Sequence, residues 1–496
     1  MRDRGRVVAA LLVLVTVAAA CGGRLTEEEI RAELGADGSG SGSSAERASA
    51  SGADGLVGDD VTGDFDNATS ADGDATAAPG SSGGSAAVPG SSGGDEGATA
   101  PEAAAPQGGN GGATDVGVTE TEITLGNVST LSGPVPGLFR GALVGTQAAY
   151  AYQNSQGGLF GRTFRVVSGD DNFDAGQNRS RHKELKDKVF AFSGSFSLSD
   201  VAGVPEIESA GVLDVGRALG KQRQDLPTHI SPFPFDVGWP TTGCDYLKER
   251  FGADKIKKMA IFWGNADAAR TNAAWQQQAC ESVGFEFVYG REFQATETNF
   301  TTDAIQMQGQ DVQGYLIVFD VTGIARFMKS MDQQGFVPPI RYPSPAAYDS
   351  GLFKAAGGGG PVNGAIIGMG NVLYLGQDAN VPEVALFLDW MKKVDPSQKV
   401  DIFAFYGWLS GRLMVEAMKE VGPNLTRDAL LAQLKSMHSW DNFGMTEPLD
   451  IGDKRPGVCE AYLEVVDGAF KRVAPASGFT CDGRFVAYKG NGTPRV

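Results

Sequence analysis

Apolar residues along positions 116–488 fall into short blocks that alternate between two spacings. Ile123, Leu125 and Val128 form the apolar core of a first run, Ser132-Gly133-Pro134 breaks it, and Ala142 to Tyr152 supplies a long apolar helix. Gly157-Gly158 and Gly161 then force a reversal into Phe164-Arg165-Val166-Val167. Strand, turn, helix, turn and strand make a βαβ unit. Such a unit buries its strands under the helix and leaves the turn after the first strand free to meet a ligand.

The alternation continues through the chain. It predicts a helix over 175–186, a strand over 189–192, a helix over 199–210 that Pro205 kinks, and a strand over 212–215. A second series follows from Asp236: a helix to Phe251, then strands over 259–263, 285–289, 315–319 and 340–342, separated by helices over 266–283, 303–308 and 323–334. The fold class expected is α/β, with two doubly wound parallel-sheet lobes. No Gly-x-Gly-x-x-Gly opens a helix in either series, and Gly368-Met369-Gly370 lacks the third glycine, so no dinucleotide site is read and no cofactor is expected.

The first 115 residues have a different pattern. Arg2, Arg4 and Arg6 precede an apolar run from Val7 to Ala20, too short to span a bilayer, which reads as a signal peptide over 1–20. Ala18, Ala19 and Ala20 directly before Cys21 resemble a bacterial lipobox, in which the cysteine is lipidated. Ala18 stands where Leu or Val is usual there, and ordinary secretion with cleavage near Ala20 is the alternative. Residues 21–115 read as a disordered acidic Gly/Ser/Ala linker, poor in large apolar residues and repeating Pro-Gly-Ser-Ser-Gly-Gly at 79–84 and 89–94. Within it only Thr26 to Leu34 carries helix signals, Thr26 and Glu29 forming a capping box.

Charge follows the same division. Residues 22–115 hold 17 acidic and 3 basic side chains, so about 14 of the 18 net negative charges lie in the linker. The acidity therefore belongs to the tether, and it argues against a nucleic-acid partner. With Cys21 consumed by lipid, four of the five cysteines remain, an even number in an exported chain. Three pairings are possible; Cys244 with Cys280 and Cys459 with Cys481 are favoured, the second pair flanking a strand pair turned by Asp467-Gly468.

In order and spacing these features resemble the type I periplasmic binding proteins of the branched-chain amino acid and amide group, the solute receptors of ABC importers. Carrying the resemblance are Leu131-Ser132-Gly133-Pro134, the turn from Asn154 to Arg162, Asp170-Asp171, the loop Ser195 to Ser199, Gly211-Val212-Leu213, the helix from Asp401 to Gly422, and the Asp467-Gly468 hairpin. The resemblance implies a two-lobed clamp crossed three times by the chain. One lobe would take 120–236 and 366–440, the other 237–365 and 441–490. The ligand would be a small polar solute, an amino acid, amide or organic acid, held between lobes. ABC permease subunits and, through the lipid anchor, the outer face of the cell membrane would be the partners. A sensing or cell-envelope interaction protein using the same clamp is the alternative.

The site implied by the resemblance transfers unevenly. Ser197 stands where a hydroxyl would meet a ligand carboxylate, and Arg217-Ala218-Leu219-Gly220 falls where backbone amides complete that site, with Gly220 in place of a threonine. Leu138 takes the place of a covering aromatic and Ala268 that of a tyrosine, while the acidic partner for a ligand ammonium would align near Ser344. Asp320 could supply that carboxylate from a neighbouring strand end. Arg217 in the cleft would favour an anionic ligand through bidentate contacts, and Tyr348 could reach the cleft, but each residue also has a plainer reading: Ser197 or Ser199 as a helix cap, Asp320 as the cap of the next helix, Arg217 as a solvated rim charge, and Tyr348 as packing beneath the cleft. Asn265 and Asp267 are open between the two readings.

Enzymatic chemistry finds little support. His182, His229 and His438 are scattered through different elements, and no Gly-x-Ser-x-Gly, His-Glu-x-x-His or P-loop spacing occurs. Asp170-Asp171 could suggest paired-carboxylate chemistry, but its place after a strand favours structural hydrogen bonding.

Overall fold

A computed structural model describes residues 109–133, 137–294 and 296–496. The signal peptide, Cys21, the capping-box segment 26–34 and the linker through residue 108 lie outside the described residues.

The first series runs β1 (Glu122–Ser129), α1 (Arg140–Ser155), β2 (Thr163–Asp170), α2 (Ala175–Leu185), β3 (Ala191–Ser193), α3 (Val204–Ala210), β4 (Leu213–Val215), α4 (Lys221–Gln224) and β5 (His229–Ile230). Its five strands form one parallel sheet in the order β2-β1-β3-β4-β5. β1 is buried on both faces from Ile123 onward, with the polar Asn127 and Ser129 between its apolar residues satisfied by hydrogen bonds to the Ser193 carbonyl and to each other. The opening turn is set by Asn154, whose carboxamide both accepts from the Phe164 amide (2.8 Å) and donates to its carbonyl (2.9 Å). Gly158 there has φ +77°, with an added Cβ meeting the Arg162 backbone, so the reversal needs glycine.

The second series runs β6 (Gly238–Pro240), α5 (Thr242–Phe251), β7 (Met259–Gly264), α6 (Asp267–Glu281), β8 (Phe287–Phe293), α7 (Thr301–Gly309), β9 (Gly314–Val318), α8 (Val321–Gln333), β10 (Ile340–Pro343) and α9 (Leu352–Ala356). β7 to β10 form a parallel sheet in the order β10-β9-β7-β8. The remaining elements are β11 (Ile366–Met369), α10 (Pro382–Val394), α11 (Ile402–Val421), α12 (Arg427–Lys435), β12 (Ala461–Val466), β13 (Ala469–Ala474) and β14 (Phe485–Ala487). α10 and α11 pack on α1, and β14 pairs with β6. Among the described residues no helix is long and apolar enough to cross a membrane.

Several details depart from the sequence reading. Pro205 starts a helix instead of kinking one, because a short 3₁₀ turn over Asp200–Gly203 precedes α3 and the proline sits in its first turn, where a missing N–H is harmless. Residues 109–115, assigned to the linker, are docked on the fold. Asn110 donates to the carbonyls of Glu120 (2.7 Å) and Phe160 (2.9 Å), and the fully buried Arg162 donates to the Asn110 carbonyl (2.5 Å). Strand β11 opens the segment expected in the first lobe, yet it pairs antiparallel with β12, expected in the second. Conversely Leu449 and Ile451 pack with Ile123, Leu125 and Leu213 of the first sheet. Helices α10 and α12 were not read from the sequence.

Among the described residues two disulfides form: Cys244 to Cys280, joining α5 to α6 of the second series, and Cys459 to Cys481, beside the start of β12. Near the second bridge, Glu460 is buried, and that burial pushes its carboxyl up to about 7 from an ordinary 4.5. Because the folded value lies above the unfolded one, the penalty for burying the charge grows as pH rises from 4.5 towards 7 and is complete above it. Glu460→Gln is expected to raise stability by roughly 1–3 kcal/mol at pH 8 and to change it little at pH 4. Urea unfolding at the two pH values checks this; equal gains at both would refute it.

Candidate functional site

The carboxyl ends of both parallel sheets open onto one cavity of about 510 Å³. From the first sheet come Leu138 and Phe139 ahead of α1, Phe173 after β2, Phe196 and Leu198 after β3, and Leu219 after β4. From the second come Asn265, Ala266, Ala268, Ala269 and Asn272 after β7, and Val318, Phe319, Asp320, Thr322 and Arg326 around the β9–α8 junction. Phe403, in the first turn of α11, completes the wall. Ligand sites in open α/β sheets sit at this end of the strands, where loops meet helix N-termini.

The lining is mostly hydrocarbon. Phe139, Phe196 and Phe403 form a three-ring cluster with centroids 4.7–4.9 Å apart. Tilted and edge-on contacts of this kind hold the rings in place as a firm surface. Sequence reasoning noted Leu138 as a lost aromatic and overlooked Phe139 beside it. Phe196 was hidden between the serines of its loop, although an aromatic in a loop after a strand end is itself a signal.

The residues expected to bind a carboxylate are occupied otherwise. Ser197 is 1 % exposed, and its hydroxyl hydrogen-bonds the Asp171 carboxylate and accepts from the Ser199 amide (2.9 Å), so it turns inward. Ser199 makes no side-chain cap. The amides of Leu219 (2.6 Å) and Gly220 (3.1 Å) both donate to Asp200, itself 3 % exposed. A side chain of the protein thus stands where a bound carboxylate was expected. Ala218 is buried and away from the cavity wall, and only Leu219 of this loop reaches it.

The remaining expected residues divide in the same way. Asp320 lines the cavity and also caps α8, accepting from the amides of Thr322 (2.9 Å) and Gly323 (3.1 Å). Asn265 lines it too, donating to the Gln294 carboxamide (2.8 Å). Tyr348 is 1 % exposed, and its hydroxyl accepts from the Leu375 amide (2.8 Å) and bonds Gln377, which places it in packing beneath the cleft. Burial pushes its phenol well above the ordinary range. Ser344 donates to the Phe319 carbonyl (3.2 Å) and brings no acid to the cleft. Asp170 and Asp171 are consumed by local bonds, Asp170 from the Leu131 and Asn172 amides and Asp171 from Thr130 and Asn178.

Arg217 lies elsewhere, in a second chamber of about 120 Å³. Its guanidinium sits over the rings of Phe235 (4.4 Å), Tyr406 (5.0 Å) and Phe233 (5.2 Å), and Nη1 donates to the Phe233 carbonyl (2.9 Å). It is a half-buried cation held by aromatic faces, in place of the rim charge or direct cleft contact considered from sequence.

Two parallel sheets that turn their carboxyl ends towards one cavity define a type I binding-protein clamp. A family model described as "Periplasmic binding protein" matches residues 122–469, and the chain belongs to that family. No curated protein sequence matches it significantly. Among solved structures, it is similar in fold to an ABC transporter substrate-binding protein from Sphaerobacter thermophilus, at 18% identity and TM-score 0.62 over 74% of this chain and 100% of that one. A fatty acid ABC transporter substrate-binding protein from Thermomonospora curvata shares 20% identity and TM-score 0.61 over 77% and 97%. A branched chain amino acid ABC transporter protein from Thermus thermophilus with bound valine shares 14% identity and TM-score 0.60 over 73% and 97%.

Proposed function

We propose that this chain is an extracytoplasmic solute receptor for an ABC importer, and that its cargo is a small molecule with a substantial hydrocarbon part. The apolar wall of the 510 Å³ cavity carries this reading. A small polar solute, the class expected from sequence, would lose its water there while the Ser197 hydroxyl and the Leu219 and Gly220 amides are already engaged. Hydrocarbon would gain about 0.8 kcal/mol for each methylene buried. The likeness in fold to a receptor named for fatty acids is in keeping with this class. The pattern of residues 1–20 and the placement of Cys21 support export and a lipid anchor, and two disulfides suit an oxidising compartment. Permease subunits would then take the cargo from the clamp.

Calorimetric titration with straight-chain carboxylates of rising length tests the reading. Each added methylene should tighten Kd by about fourfold until the cavity is full, and leucine should bind weakly. Leucine binding more tightly than every long chain would overturn it. Leu198 lines the cavity and is 40% exposed, so Leu198→Asp should weaken the best ligand by about tenfold or more with the melting temperature nearly unchanged.

A further inference from the structure

The two walls of the 510 Å³ cavity differ in kind. All seven lining side chains contributed by the first series and α11 are leucine or phenylalanine, whereas the five polar ones, Asn265, Asn272, Asp320, Thr322 and Arg326, all follow β7 or β9 of the second series. An amphipathic molecule in this space therefore meets one wall suited to hydrocarbon and one suited to a head group. On the first wall a charge would be buried against leucine and phenylalanine, with the Leu219 and Gly220 amides already closed by Asp200, and burying an unpaired ion is strongly unfavourable. The head group belongs on the second wall.

The donors of that wall narrow the choice. Asn272 donates from its carboxamide to the Ala268 carbonyl (2.7 Å), and Asn265 to the Gln294 carboxamide (2.8 Å). The N-terminus of α8 is served by the protein's own carboxylate, since the Thr322 and Gly323 amides both donate to Asp320. Thr322 and Arg326 stand one turn apart on α8, the spacing that puts two side chains on one helix face, and both line the cavity. Among the described lining residues Arg326 alone carries a positive charge. Its Nε donates to the Glu297 carbonyl (3.2 Å), while the Glu297 carboxylate is bound by Arg291 (2.5 Å). The carbonyl contact ties the guanidinium to the loop after β8 without neutralising it, so a ligand carboxylate at this place forms a charge-assisted bond with a cation already held in position.

We infer that the cargo is an amphipathic monocarboxylic acid lying across the cleft, its carboxylate on Arg326 and its hydrocarbon part on the leucine and phenylalanine wall. The inference rests on the apolar-cargo reading above and adds to it the charge and position of the head group. It reverses the arrangement expected from sequence, in which Ser197 and the 217–220 loop of the first series would have held the carboxylate.

Titration of the full chain with decanoate, decan-1-ol and decylamine separates the two claims. The wild type should bind decanoate about tenfold more tightly than the alcohol, with the amine weakest, as a charge-assisted pair with a cation requires. In Arg326→Gln the acid and the alcohol should come within about twofold of each other, and Arg326→Lys should keep part of the preference. Equal affinity for acid and alcohol in the wild type, or an undiminished acid preference in Arg326→Gln, would overturn the head-group assignment while sparing the apolar-cargo reading. Tighter binding of the amine than of the acid would overturn it too, and would move the head group to Asp320. Binding of none of the three would overturn both claims. Should Arg326→Gln fail to fold, Arg326→Lys and the wild-type comparison still decide.

Discussion

Replacing Arg223 by methionine is expected to cost about 3–5 kcal/mol of folding stability at neutral pH, a large share of the roughly 5–15 kcal/mol typical of folded proteins. Arg223 holds Asp214 with two bonds of 2.7 Å, from Nε and Nη2, and His229 Nδ1 approaches the same carboxylate at 2.7 Å. Arg223 and Asp214 are 2% and 1% exposed. Burial alone would raise the Asp214 carboxyl, but Arg223 and then His229 hold it far below the ordinary carboxylate range. With the folded value depressed, this stabilisation is fully present above the unfolded value of 3.8 and is lost only in strong acid. Arg223→Met therefore leaves a buried charge that cannot relax by protonation near neutrality without a further penalty. The Asp214→Leu, Arg223→Met double variant should recover much of the loss, since both charges then vanish. Urea unfolding at pH 7 measures this; a loss under about 1 kcal/mol in the single variant would refute it. The consequence reaches the site, because β4 ends at Val215 and leads directly into the loop bearing Arg217 and Leu219.

The same residues show how far the sequence could be read. β7 and β9 are near-continuous apolar runs, the sequence pattern of strands buried on both faces, whereas β1 alternates Ile123, Leu125 and Val128 with polar residues that are buried as well. Helix α10 carried its signals too, with Pro382 in its first turn and Val384, Phe387 and Met391 on one buried face, so it was legible but passed over. The site was less legible for a physical reason. Loop position says which residues approach a strand end, but not which way a short side chain turns. Ser197 sits in the expected loop and points at Asp171. The Leu219 and Gly220 amides sit where expected and meet Asp200, from a different loop. The three-ring wall of Phe139, Phe196 and Phe403 draws on three separate elements, and no local pattern announces such a meeting.

Gly407→Ala is expected to destabilise the protein by about 3 kcal/mol, at the upper end of overpacking effects, and to weaken ligand binding with it. At an ordinary helical position the same change would stabilise by up to about 1 kcal/mol, since glycine is the poorer helix former. Here sterics decide the sign. α1 and α11 approach so closely that a Cβ on Gly407 would fall on the Ala142 carbonyl oxygen and lie 2.8 Å from the Thr146 nitrogen. One on Gly145 would meet the Ala404 carbonyl, and one on Gly411 would lie 2.6 Å from the Ala149 Cβ. At Gly407 and Gly145 the obstacles are backbone atoms, so no rotamer change relieves them and the helices must part. Phe139 directly precedes α1 and Phe403 lies in the first turn of α11, with ring centroids 4.7 Å apart. Separating the helices would pull that contact open at the floor of the cavity. Gly309, at the end of α7 with open space around it, is the control. Gly309→Ala should be neutral or slightly stabilising by urea unfolding, with ligand affinity unchanged. Equal behaviour of the two variants would show that the glycine seam between α1 and α11 does not set the shape of the site.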